Sequence, residues 1–288
     1  MTMRCVGVAL LLALACGDDD GSLSDTMASE DGSVPERDLG GEDPPDLGGE
    51  DPPDLGGEDP PDLGEPMPTA NCFDFESGVL VFEAESLPLN EDWAIGTSEG
   101  GFSGSGYIEW TGASHNNDPT HGVIDVTIRV PEAGRYQLTW LTQIGRGDNT
   151  TEHNDTWVRF PDADDFYGLK GDPGAEIRRY PKPICDDTDA MNALMAMADI
   201  DTADCVRGSS RDGWLKVYSS GANDWRWSAR TSDSDASIVT MEFDAPGDYT
   251  MQLAARADFS LIDRVVIYRE GTSSGDREDL ALPETRCD

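Results

Sequence analysis

The chain has 288 residues, with 58 Asp and Glu against 20 Lys and Arg, a formal net charge of −38. That balance excludes a nucleic-acid binder, which needs a surplus of Lys and Arg to neutralise phosphate, and it disfavours electrostatic adhesion to anionic lipid. Only 37% of residues are apolar, which predicts that part of the chain builds no core; every aromatic residue lies after position 70, so the apolar-poor part is the N-terminal quarter.

Residues 1–15 read as a targeting segment. Arg4 supplies a positive start, and Val6 to Leu14 form an apolar run too short to span a bilayer. Small residues then lead to Cys16 and an acidic run. This arrangement resembles the lipobox of bacterial lipoproteins. The resemblance implies that Cys16 is lipid-modified and becomes the N-terminus. It also implies an exported chain, anchored at the outer membrane or cell surface.

Residues 16–70 carry 18 acids and one base and no apolar periodicity. Asp-Leu-Gly-Gly-Glu-Asp-Pro-Pro begins at Asp38, recurs from Asp46 and Asp54, and is cut short from Asp62. One Leu per repeat cannot build a core, so this is not a solenoid. Paired prolines and like charges keep such a chain extended and solvated. The expectation is a disordered acidic Pro/Gly-rich spacer, with a contour limit of roughly 165 Å for about 50 residues.

With Cys5 in the leader and Cys16 lipidated, four cysteines remain, an even number for an exported protein. Four cysteines allow three pairings. Cys185 and Cys205 bracket an insert without other cysteines and are expected to pair. Cys72 and Cys287 would then join the two ends of the folded part, 71–288. No CxxC or HxxxH spacing suggests zinc.

From residue 78 onward short alternating runs recur between turn residues. They are 79–85, 106–110, 123–130, 135–144, 156–160, 214–218, 225–229, 237–243, 249–255 and 261–268. Pro131 to Gly134 and Ala245 to Asp248 supply turn chemistry. Ten short strands with such turns predict an all-β sandwich. One exception, Asp189 to Ala198, reads as a short helix inside the Cys185–Cys205 insert.

Four segments in order then resemble a family. Val81 to Glu85 is similar to the opening strand of carbohydrate-binding modules of families 6 and 35. Gly101 to Trp110 resembles their Gly-rich second segment, and Ile128 to Tyr136 their hairpin. Ala255 and Arg256 followed by Leu261 to Val265 resemble their closing strand. The resemblance implies a jelly-roll sandwich with a structural calcium that binds an oligosaccharide or polysaccharide, acts as a monomer and does no chemistry. The alternatives are a protein-interaction or adhesion domain, and a glycoside hydrolase or lyase built on residues 145–235.

Glu83 and Glu85 stand two apart on an expected strand, so both side chains should leave one face. Calcium takes several hard oxygens, which paired carboxylates supply. The resemblance adds Asp263 of the closing strand as third ligand. For the sugar it implies ring stacking on Trp225, beside Asn223, with Tyr107 as second wall. Trp227 shares a face with Trp225 and is either a second stacking residue or core. Trp157 is a further stacking candidate. Asp258 and Phe259 occupy the loop where the family often places a ligand-binding Asn. His153, just before a strand, sits where a loop can project into a cleft. No G-x-S-x-G or other nucleophile motif accompanies it.

Overall fold

The computed structural model describes residues 71–186, 205–219 and 223–288, together with Asp189 and Asn192. The expected leader, Cys16 as the expected lipidation site, the expected spacer and most of the expected helix at 189–198 lie outside the described residues.

Fifteen strands follow in chain order: β1 (Cys72–Asp74), β2 (Val79–Glu83), β3 (Trp93–Gly96), β4 (Tyr107–Trp110), β5 (Ile124–Val130), β6 (Gly134–Ile144), β7 (Asp155–Arg159), β8 (Asp165–Lys170), β9 (Ile177–Arg179), β10 (Leu215–Tyr218), β11 (Arg226–Trp227), β12 (Arg230–Thr231), β13 (Ser237–Phe243), β14 (Gly247–Ala254) and β15 (Ser260–Arg269). The helix α1 (Ser274–Arg277) is a single turn capped by the Ser273 hydroxyl, which accepts from the Asp276 N–H.

The expected all-β sandwich is what these strands form. One layer runs β1-β5-β14-β7-β10, and the other is centred on β13-β6-β15, with β8 at one side and β2, β4 and β3 at the other. The short β12 pairs with both β10 and β13, so the hydrogen-bonded path continues from one layer into the next. β5 alternates buried and open residues along its whole length. Its Val126 and Ile128 meet Leu138, Met241 and Val265 of the facing layer in one core. Burial of apolar faces of this kind is the main stabilising term of a sandwich. Aromatic pairs cross between the layers: Phe73 stacks on Phe82 with centroids 4.6 Å apart, and Phe243 meets Tyr249 at 4.3 Å.

Both expected disulfides are present, Cys72–Cys287 and Cys185–Cys205. The first holds the two ends of the described domain side by side. Asp74 N–H donates to Thr285 O at 2.7 Å and Cys287 N–H to Cys72 O at 3.0 Å.

Three expectations are corrected. The strand at 79–85 stops at Glu83, and Ala84–Ser86 form a 3-10 turn. The Ser86 hydroxyl donates back to Glu83 O at 2.7 Å and closes that turn. Of the run 225–229 only Arg226–Trp227 is strand, β11, paired with β6, and β12 begins beyond it at Arg230. Finally, β1, β3, β8 and β9 are strands that periodicity did not mark. β8 earns its place by pairing along five residues of β13.

Candidate functional site

The carboxylates expected to hold calcium do converge, by a different route from a shared strand face. β15 loses register with β6 between Ile262 and Arg264, and Asp263 sits in that irregularity. Up to Ile262 the neighbour on the other side is β4; from Arg264 onward it is β2. A bulge of this kind re-aims one side chain. Glu83 arrives at the end of β2 and Glu85 from the turn that follows. Carboxylate oxygens of Glu83, Glu85 and Asp263 lie within 4.8 Å of one another.

The Gly-rich loop closes over this cluster. Ser103 N–H donates to Asp263 Oδ2 at 2.9 Å, and its hydroxyl to Glu83 Oε2 at 2.7 Å. Ser105 N–H donates to Glu85 Oε1 at 2.6 Å. Between them Gly104 has φ +60°, and a Cβ there would stand 2.3 Å from Glu85 Oε1. Only glycine lets the loop approach this closely. Behind the cluster Arg264, 2% exposed, donates to Glu83 Oε1 at 2.9 Å and to Leu280 O of the C-terminal segment at 3.1 Å.

Two oxygens remain, Glu85 Oε2 and Asp263 Oδ1, both buried and without a hydrogen-bond partner. Asp263 is 0% exposed. Burial, with the charge of Glu83 adding to it against the Ser103 N–H, pushes its carboxyl up to about 7. Burial likewise raises Glu83. Orphaned acceptors in a crowd of like charges are costly unless a cation meets them. The donor set, all hard oxygen, is the kind that calcium takes. Residues and site fit the ion.

Beside the same loop lies Trp225. Its indole N–H donates to Gly100 O at 3.1 Å, and its ring meets Tyr107 with centroids 5.4 Å apart. Gly101, at φ +105°, leaves only 3.1 Å between its Cβ position and the Trp225 ring. Trp225 is half-buried, so part of the ring stays open. The expectation that Tyr107 forms an open second wall is corrected. Tyr107 is 1% exposed, because β3, Phe102 and Trp225 enclose it. It backs the Trp225 ring, and its hydroxyl lies 2.9 Å from Ser98 Oγ. Asn223 is exposed. Glu99 and Gln143, which the sequence did not single out, bond to each other at 3.3 Å next to Gly100.

The remaining predicted residues go elsewhere. Trp227 is half-buried against Val79, Val81, Val266 and Tyr268 on the outer face of the β2–β15 layer. Its surroundings are those of a packing residue. Trp157 is corrected outright: it is 1% exposed, packed with Trp214 and Ala254, and its N–H donates to His115 O at 2.9 Å. His153, Asp258 and Phe259 do meet one another. His153 Nδ1 lies 2.8 Å from Asp258 O, and Arg146 sits 3.6 Å over the Phe259 ring. The predicted sugar residues thus fall into two groups, His153 with Asp258 and Phe259, and Trp225 with Tyr107. His153 and Asp258 line a cleft of about 570 Å³ that also takes in Asp155, Lys216 and Arg256.

No family model matches the chain, and no curated protein does. Among solved structures the chain is similar to a native family 35 carbohydrate binding module from Clostridium thermocellum, at 13% identity and TM-score 0.35, over 67% of this chain and 99% of that one. It is also similar to Xyl-CBM35 in complex with a glucuronic acid containing disaccharide, at 13% identity and TM-score 0.32, over 67% and 99%. A third is the GH26-CBM35 β-(1,4)-mannanase of Podospora anserina, at 12% identity and TM-score 0.36. There the match covers 69% of this chain but only 29% of the mannanase.

Proposed function

We propose that residues 71–288 form a non-catalytic glycan-binding module, stabilised by one calcium ion and displayed on a lipid-anchored acidic spacer at the surface of a bacterial envelope. The observation that carries the glycan reading is the Trp225 ring. Its edge is fixed by a hydrogen bond to Gly100, Tyr107 backs it, and part of its surface is left open. Sugar recognition wants such a held apolar plate, with polar groups beside it for the hydroxyls. Glu99 and Gln143 offer those groups. The ion, held by Glu83, Glu85 and Asp263, would tie β2 to β15 and pin the Gly-rich loop. Its contribution is to the fold and to the backbone on which Trp225 rests.

A non-catalytic role is supported by the state of the carboxylates in the other cleft. Asp155 is clamped by Arg256 at 2.5 Å and Lys216 at 3.6 Å, and Asp258 faces Arg146 at 3.3 Å. Carboxylates engaged in this way by cations of the same chain serve the fold.

The test is a glycan-array screen of the wild type and Trp225→Ala, with thermal melts of both. Trp225→Ala is expected to lose at least tenfold in affinity for the glycans that the wild type binds and to keep its calcium-dependent melting transition. Equal binding by a folded Trp225→Ala would move the platform elsewhere.

A further inference from the structure

We propose that His115, His121 and Asp118 form a site for a divalent transition-metal ion of the zinc class, on the loop between β4 and β5. The site is separate from the carboxylate cluster and from Trp225, and it depends on neither.

The chain has three histidines, and two of them meet. The His115 and His121 rings stack with centroids 3.7 Å apart and planes 12° apart. Their separation along the chain matches none of the short histidine spacings that mark zinc in a sequence. The fold of the loop closes that gap, and it does so with a held backbone. His115 N–H donates to Arg256 O at 2.6 Å, and Ala255 N–H donates to His121 O at 2.9 Å. Two consecutive residues after β14 thus fasten both histidines.

Three indoles hold the loop from beneath. Trp110 Nε1 donates to Ala113 O at 2.8 Å, Trp157 Nε1 to His115 O at 2.9 Å and Trp93 Nε1 to Gly122 O at 2.7 Å. All three rings are buried. Gly122 has φ +57°, and a Cβ there would stand 2.6 Å from Trp93 Nε1. The loop therefore seats directly on the core, and its two imidazoles are carried by backbone that is already fixed. Ligands presented in this way lose little freedom when an ion binds.

Asp118 supplies the third donor. Its Oδ1 accepts from the Thr120 hydroxyl at 2.8 Å and from Arg211 at 3.0 Å. Its Oδ2 faces His121 Nε2 at 3.7 Å. That gap is too long for a hydrogen bond. It is close to the roughly 3.4 Å that separates two ligands each about 2.0–2.1 Å from a tetrahedral zinc ion. Glu91 Oε2, 4.0 Å from His121 Nδ1, adds a second carboxylate beside the cation. Closing the three donors on one ion takes side-chain torsions alone. All three side chains are half-buried, so a fourth position is left to water.

The donor atoms select the ion. Imidazole nitrogen suits zinc, copper and nickel, whereas calcium takes oxygen. The domain thus pairs an all-oxygen cluster at Glu83, Glu85 and Asp263 with a nitrogen-rich one at the other end of β4.

The experiment titrates the full chain with zinc chloride by calorimetry, in saturating calcium chloride so that the carboxylate cluster does not compete. Cobalt(II) chloride repeats it, because its visible absorption reports tetrahedral nitrogen ligation. One zinc ion should bind per chain. His115→Ala and His121→Ala should each weaken it at least tenfold, and Asp118→Asn at least threefold. His153→Ala, which removes the remaining histidine, should bind zinc as the wild type does. Melting midpoints without zinc identify any variant that misfolds. If His115→Ala does, His121→Ala decides, together with the zinc-induced NMR shifts of the His115 and His121 ring protons in the wild type. Undiminished binding in His121→Ala, loss of binding in His153→Ala, or no zinc bound by the wild type overturns the site. Zinc displaced by an equal concentration of calcium overturns the nitrogen ligation.

Discussion

Two carboxylate sites in this domain each hold a buried Asp, and they are resolved in opposite ways. Asp155 sits between Arg256 and Lys216, so its charge is answered by side chains that fold with it. Glu83, Glu85 and Asp263 share one cation, Arg264, which reaches only Glu83. Buried charge is tolerated when paired and becomes costly when it is not. The first site is therefore answered within the chain, while the second keeps two buried carboxylate oxygens without a hydrogen-bond partner. Sequence alone does not separate them, since both read as acids near strand ends.

The comparison breaks most visibly by removing Asp155. Asp155→Ala takes the anion away from Arg256, leaving Lys216 only Asp233, and should cost about 3–5 kcal/mol of unfolding free energy. Urea titration measures it, and the loss should be the same with and without calcium. A calcium-dependent loss would mean that the two sites are coupled.

Next in size is the ion itself. At a calcium concentration of a hundred times Kd the wild type should gain about 2.7 kcal/mol, a rise in melting midpoint on the order of 5–10 °C. Chelator should reverse it. In Glu85→Ala the response should largely vanish, and an undiminished response would remove Glu85 from the ligand set.

The smallest effect carries a change of sign. Asp263→Asn removes one of the crowded charges and keeps the shape. In chelator it should be more stable than the wild type by about 1 kcal/mol, because the amide can also donate to a neighbouring carboxylate. In saturating calcium it should be the less stable of the two. Calorimetry in both buffers checks the crossing, and a variant less stable in both would show that Asp263 serves the fold without an ion.

Much of the sandwich was legible because one face of each long strand is buried. The alternation from Ile124 to Val130 and the apolar length from Gly134 to Ile144 follow directly from that burial. β8 and β9 were not legible, since their strand character comes from the neighbour β13 rather than from local pattern. The carboxylate cluster was found through residue types and resemblance, but its geometry was misjudged: a 3-10 turn at Ala84 replaces the strand face. Aromatic residues were the weakest ground. Nothing local distinguishes Trp157, sealed under Arg256, from Trp225, held half-open over Gly100. Lys216 and Arg256 were missed because their meaning is their meeting at Asp155, from three separate parts of the chain.

The Cys72–Cys287 bond bears on how the domain carries load. Tension that arrives from the spacer side through residue 71 divides at Cys72. One route runs along β1 into its parallel ladder with β5. The other crosses the disulfide into the C-terminal segment, which is itself fastened to Val81 through Thr285, to Glu83 through Glu284 and to Arg264 through Leu280. β1 therefore cannot peel from the edge like a free zip end, because dragging it away drags the opposite end of the domain with it. A three-residue strand becomes an anchorage whose grip is spread over both layers of the sandwich.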